Sequence, residues 1–134
     1  MTKTYLCKQL NRFMEETNEE EVFIKSIPPN KEISDYILWH NEGHRTAIKT
    51  MFNVISSEKE HLNRNRLRKF LKNKIKRIDY NLRKLDDIIQ SKEDEEIIWN
   101  KDYFILDGIS CAYLTILRMI NKECYIRKTM GGSK

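Results

Sequence analysis

Apolar residues recur along this chain at intervals of three and four positions, stretch after stretch, which is the period of helices with one buried face. A first helix is predicted from Lys3 to Glu16, with Leu6, Leu10, Phe13 and Met14 on one side. An acidic cluster, Glu15 to Glu21, follows and runs into Val22-Phe23-Ile24. Pro28-Pro29 then breaks the chain, since consecutive prolines cannot propagate a helix, and Asn30 is a suitable cap for the next one. The second helix, Lys31 to Ile55, sets Ile33, Ile37, His40, His44, Ile48, Met51 and Ile55 on one stripe, flanked by Trp39 and Phe52. Gly43 in its middle costs about 1 kcal/mol relative to Ala, so a bend or a close neighbour is expected there.

The third helix, Ser57 to Ile89, carries the clearest pattern. Leu67, Leu71, Ile75, Ile78, Leu82, Leu85 and Ile89 form one narrow seam, and Ser57-Glu58-Lys59-Glu60 has capping-box spacing at its start. Ser91 with Glu93 to Glu96 signals a fourth start, and the helix from Lys92 to Ile120 is apolar on several sides. So broad an apolar surface predicts contact with another chain. Cys124-Tyr125-Ile126-Arg127 alternate like the beginning of a strand. The predicted fold is all-α: an antiparallel bundle of about four long helices over residues 1–122, then a short tail, 123–134, with at most one strand. Four Gly and two Pro in 134 residues agree with few, long elements.

Cys7, Cys111 and Cys124 include no CxxC pair. Cys7 and Cys111 sit in apolar faces, as small core residues of a reducing compartment do. No signal peptide and no membrane span are expected, because charged residues interrupt each apolar run.

Charge changes the picture. Lys59 to Lys84 holds 11 Lys and Arg against 2 acids, a local +9, whereas the whole chain carries +5. Such asymmetry calls for an acidic partner, protein or nucleic acid. Arg64, Arg66, Arg68 and Lys72 are the candidate contacts, although the cations surround much of the helix and no aromatic stacking platform accompanies them. His40 and His44 are spaced to share a metal, but Asn41 stands where a zinc-protease motif needs Glu, and no third ligand is evident. No metal, cofactor or catalytic set is therefore expected, and the chain reads as a non-enzyme.

The order of these features resembles the helical domain of the GINS complex, the four-subunit assembly that joins the MCM replicative helicase. Asn63-Arg64-Asn65-Arg66 leading to Leu67, Leu71, Ile75 and Arg77-Ile78 is similar to that family's central helix. Ser91-Lys92-Glu93-Asp94-Glu95-Glu96, with Trp99 or Tyr103, looks like the start of the next. Phe13, Asn18-Glu19, Phe23-Ile24, Pro28-Pro29 and Ile33-Ile37 resemble the Sld-five type, with the Psf-one type as second choice. The family's small β domain has no counterpart beyond the tail.

The resemblance implies a nuclear, non-catalytic subunit (cytosolic in a cell without a nucleus), one of four in a hetero-tetramer. Its partners would be three sister subunits, the MCM helicase and a Cdc-forty-five-type protein, with DNA contact optional. Leu67, Leu71, Ile75, Ile78, Trp99, Tyr103, Phe104 and Leu117 would form the partner surface. The competing expectation is a free-standing basic helical protein that binds nucleic acid. A weaker one is a viral immune-modulating bundle, suggested by Tyr36-Ile37-Leu38-Trp39 and a Cys-containing apolar helix.

Overall fold

A computed structural model describes the backbone of residues 1–26, 31–90 and 101–130, and side chains over 1–26, 35–88 and 101–122. It contains α1 (Lys3–Ser26), α2 (Lys31–Ser56), α3 (Arg64–Gln90) and α4 (Lys101–Met130). The all-α expectation holds, and no strand occurs among the described residues. Thr2 and His61 form an isolated antiparallel bridge. Cys124 to Arg127, read as a strand, continue α4. The acidic cluster Glu15 to Glu21 does not end α1 either. Thr17 sits in it as a buried residue, its hydroxyl donating to the Phe13 carbonyl at 3.0 Å.

The α3 helix starts later than its spacing predicts, because the residues before it pair with the start of α1. Ser57 to Asn63 is a connection, and Asn63 is the cap: its side-chain oxygen accepts from the Arg66 amide at 3.1 Å. Glu60, expected to close a capping box on Ser57, instead accepts from the Thr4 amide at 3.1 Å, at the start of α1. Lys3 answers in the other direction, donating from Nζ to the Ser56 and Glu58 carbonyls at 3.0 and 3.1 Å. A cation at the carbonyl end of α2 and a carboxylate at the amide end of α1 each complement a helix dipole.

The helices lie in the order α1, α2, α4, α3. Phe13 meets His44 and Lys3 meets Ser56, so α1 and α2 are antiparallel. Asp79 pairs with Ser110 and Arg68 with Asn121, so α3 and α4 are too. Tyr36 meets Phe104 and His40 meets Asp107, which makes the central pair, α2 and α4, parallel. Buried Leu6, Leu10, Phe13, Ile48, Met51, Ile55, Leu71, Ile116 and Ile120 supply much of the core.

The α2–α4 crossing rests on two glycines. A Cβ on Gly43 would run into the Ile105 carbonyl oxygen, and one on Gly108 into the His40 carbonyl oxygen. Residues Lys101–Lys122 are long and apolar enough to cross a membrane, with mean hydropathy 1.4, contrary to the sequence expectation. Here that segment is the inner helix of the bundle: Ala112, Tyr113, Ile116 and Ile120 are buried.

Candidate functional site

Backbone contact at Gly43 and Gly108 fixes what stands beside it. His40 precedes Gly43 by nearly a turn, and Asp107 and Cys111 are one turn apart on α4. His40 Nε2 lies 3.3 Å from Asp107 Oδ2, and a ligand atom of Cys111 joins them so that all three lie within 4.8 Å of one another. His44, its expected partner, turns away to pack on Phe13, ring centroids 5.3 Å apart, while its edge meets the His40 ring at 4.6 Å. Burial, followed by the charges of His40 and Arg45, lowers the His44 pKa to about 4. Burial also raises the Cys111 thiol, assisted by Asp107 and Asp79 and opposed by Arg118. A nucleophilic cysteine needs the opposite shift.

The sequence singled out His40 through its spacing to His44 and led to no metal site, while Asp107 and Cys111 went unremarked as its neighbours. Asp107 and Cys111 are 67 and 71 positions away. Their i, i+4 spacing around Gly108 was the available signal, but only the helix crossing gives it meaning.

A second feature lies between α3 and α4. Lys72, Ile75, Lys76, Asp79, Tyr80, Arg83, Leu114 and Leu117 line an open groove. Tyr80 is 58% exposed and Leu114 is 38% exposed, large values for apolar bodies beside the core. The Asp79 carboxylate faces inward, accepting from the Ser110 hydroxyl at 3.2 Å, so the rim charge is that of Lys72, Lys76 and Arg83.

The residues expected to meet partners divide accordingly. Leu67, Leu71 and Ile78 are buried in the chain's own core, since the seam of α3 is what α4 packs on. Ile75 and Leu117 reach the groove, together with Lys72. Phe104 stacks on Tyr36 at 4.3 Å and Tyr103 meets Phe104 at 5.5 Å, within an aromatic cluster that Trp39 completes. Trp99 lies outside the described residues, as do Ser91 to Glu96. Arg66 approaches Glu58 at 3.8 Å, and Arg68 donates to Asn121 at 3.0 Å, so both serve intramolecular contacts. Arg64 lines a polar hollow with Met1, Glu58 and Arg68.

The family model described as phosphoinositide-specific phospholipase C, EF-hand-like, matches residues 39–118, from the middle of α2 through most of α4. The chain belongs to this family. No curated protein and no solved structure matches it. The EF-hand-like assignment overturns the GINS reading and everything that hung on it: the sister subunits, the MCM helicase, the Cdc-forty-five-type partner and the role in DNA replication. It lends nothing to a free-standing nucleic-acid binder. The arginine run and the apolar positions four apart were shared because both describe a basic amphipathic helix, whatever its family.

An EF-hand name raises calcium, and neither the glycines of this chain nor its described α2–α3 connection fits a calcium loop. A calcium loop spans about twelve residues, with oxygen ligands at alternate positions, glycine at the sixth and glutamate at the last. None of the four glycines has such acids around it. The α2–α3 connection is only seven residues, Ser57 to Asn63, and its two carboxylates already serve Thr4 and Arg66.

Proposed function

We propose that this chain is a non-catalytic, calcium-independent binding module that seats an acidic amphipathic helix in the α3–α4 groove. The observation that carries the reading is Leu114, held half-open on the innermost helix beside Ile75, Tyr80 and Leu117. An apolar floor of that kind accepts the i, i+4 anchors of a partner helix. Lys72, Lys76 and Arg83 border it, in the segment of +9, so the matching partner carries Glu or Asp around its apolar stripe. The raised Cys111 thiol argues against a nucleophilic cysteine beside His40.

The test uses a fluorescently labelled synthetic helix of about 20 residues with a Leu stripe and Glu elsewhere, followed by anisotropy. Binding that weakens with salt, drops at least tenfold in Lys72→Glu/Lys76→Glu and in Leu114→Asp, and survives Arg12→Glu on α1 supports the module. Equal binding by all variants, or none by the wild type, ends it.

A further inference from the structure

We propose that His40, Asp107 and Cys111 form a binding site for a zinc-class transition metal that clamps α2 to α4. The first support is geometric. A tetrahedral ion with bonds of about 2.0–2.3 Å to nitrogen, oxygen and sulfur separates its donors by about 3.3–3.5 Å. The His40 Nε2 to Asp107 Oδ2 distance is already 3.3 Å. The set closes within 4.8 Å, so Cys111 needs only a small side-chain adjustment to complete three corners.

Placement is the second support. The backbones of α2 and α4 touch at Gly43 and Gly108, and the His40 carbonyl itself lies against Gly108. Donors from two helices are thus held by main-chain contact instead of by long, mobile stems. A site on rigid elements loses little entropy on binding. All three residues are partly buried, leaving a side open for water as the fourth ligand.

Donor chemistry selects the ion. One imidazole, one carboxylate and one thiolate suit Zn²⁺ or its spectroscopic substitute Co²⁺. They do not suit Ca²⁺ or Mg²⁺, which require several oxygens. The Asp107 carboxylate, 3.3 Å from His40 Nε2, supplies the negative charge that a divalent cation needs among these donors. Binding replaces the thiol proton: the S–H bond breaks, a sulfur–metal bond forms, and the proton leaves to solvent. This site is independent of the groove reading, lying on the α2 side of α4.

The experiment is a Co²⁺ titration of the full chain after chelator treatment, followed by its thiolate-to-cobalt absorption, with Zn²⁺ added last. The expected result is a saturable band of one equivalent that Zn²⁺ abolishes. Cys111→Ser should remove the band, and His40→Gln or Asp107→Asn should weaken affinity at least tenfold. Cys7→Ser/Cys124→Ser should retain it, which assigns the sulfur. Circular dichroism of the ligand variants checks that each is folded, and His40→Gln and Asp107→Asn keep the thiol intact as independent probes. A band that persists in Cys111→Ser, unchanged affinity in both other variants, or no band in the wild type would overturn the site.

Discussion

At the scale of single residues, His44 shows how an environment changes a group's chemistry. Its ring packs against Phe13 from α1 and His40 from its own helix, beside Arg45, whose guanidinium is held by Glu21 at 2.6 Å. Its pKa falls from 6.5 to about 4, so the folded chain keeps it neutral where an unfolded chain would protonate it. The sign follows from proton counting. Below about pH 6.5 the unfolded state binds more protons, so this contribution is complete above that pH and is lost as pH falls toward 4. With solvent screening allowed for, the loss by pH 5 is about 1 kcal/mol. Urea unfolding in chelator at pH 7.5 and pH 5 should show the wild type losing about that much more than His44→Phe. Identical losses would assign the acid sensitivity to other groups. The two histidines were legible as a spaced pair. That one faces Asp107 and the other Phe13 was not, because neither partner is near in sequence.

At the scale of elements, the α2–α4 crossing is the strictest constraint. In an exposed helix Gly→Ala stabilises by about 1 kcal/mol. At Gly108 the new methyl group would meet the His40 main chain, and main-chain atoms cannot rotate aside. Gly108→Ala is therefore expected to destabilise the chain by about 1–3 kcal/mol, read as a lower urea midpoint. A midpoint unchanged or raised would mean that the helices separate at little cost. Gly43 was legible as a position that admits a neighbour, since a mid-helix glycine needs a reason. Gly108 was absorbed into an apolar helix and passed unremarked. The third helix shows the converse failure. Ser57-Glu58-Lys59-Glu60 has the spacing of a cap, yet Glu60 is drawn off by the Thr4 hydroxyl and amide, which also hold its carboxyl below the usual range. A local signal lost to a partner from the other end of the chain, and Asn63 capped the helix instead.

At the scale of the whole molecule, the arrangement α1, α2, α4, α3 explains why the seam of α3 was mistaken for an intermolecular surface. The run Leu67, Leu71, Ile75, Ile78 needs an apolar neighbour, and periodicity cannot say whether that neighbour is another chain or a later helix of the same one. Here α4 supplies it, with Leu71 fully enclosed. What remains open is the groove's edge, where Ile75 and Leu117 meet Tyr80 and Leu114. The EF-hand-like family name carries its own whole-molecule prediction. With no oxygen-rich loop among the described residues, millimolar Ca²⁺ should leave the melting temperature unchanged relative to chelator. A clear rise would show that carboxylates of this chain gather around calcium after all, since any ligand of the native state alone raises its apparent stability.

The sequence by itself determined the helices: their number, most of their apolar faces, the charge concentrated on α3 and the break at Pro28-Pro29 between α1 and α2. These follow from short-range rules, a period of 3.6 residues and the chemistry of breakers, that act within a few positions of the chain. Only the tertiary structure decided which faces meet. It buried Leu67 and Leu71 inside the molecule, left Leu114 half-open, and set His40 against Asp107 and Cys111 across two glycines. Those outcomes depend on how four helices share limited apolar area and on where two backbones can touch. Such contacts join residues dozens of positions apart, and no local pattern encodes them.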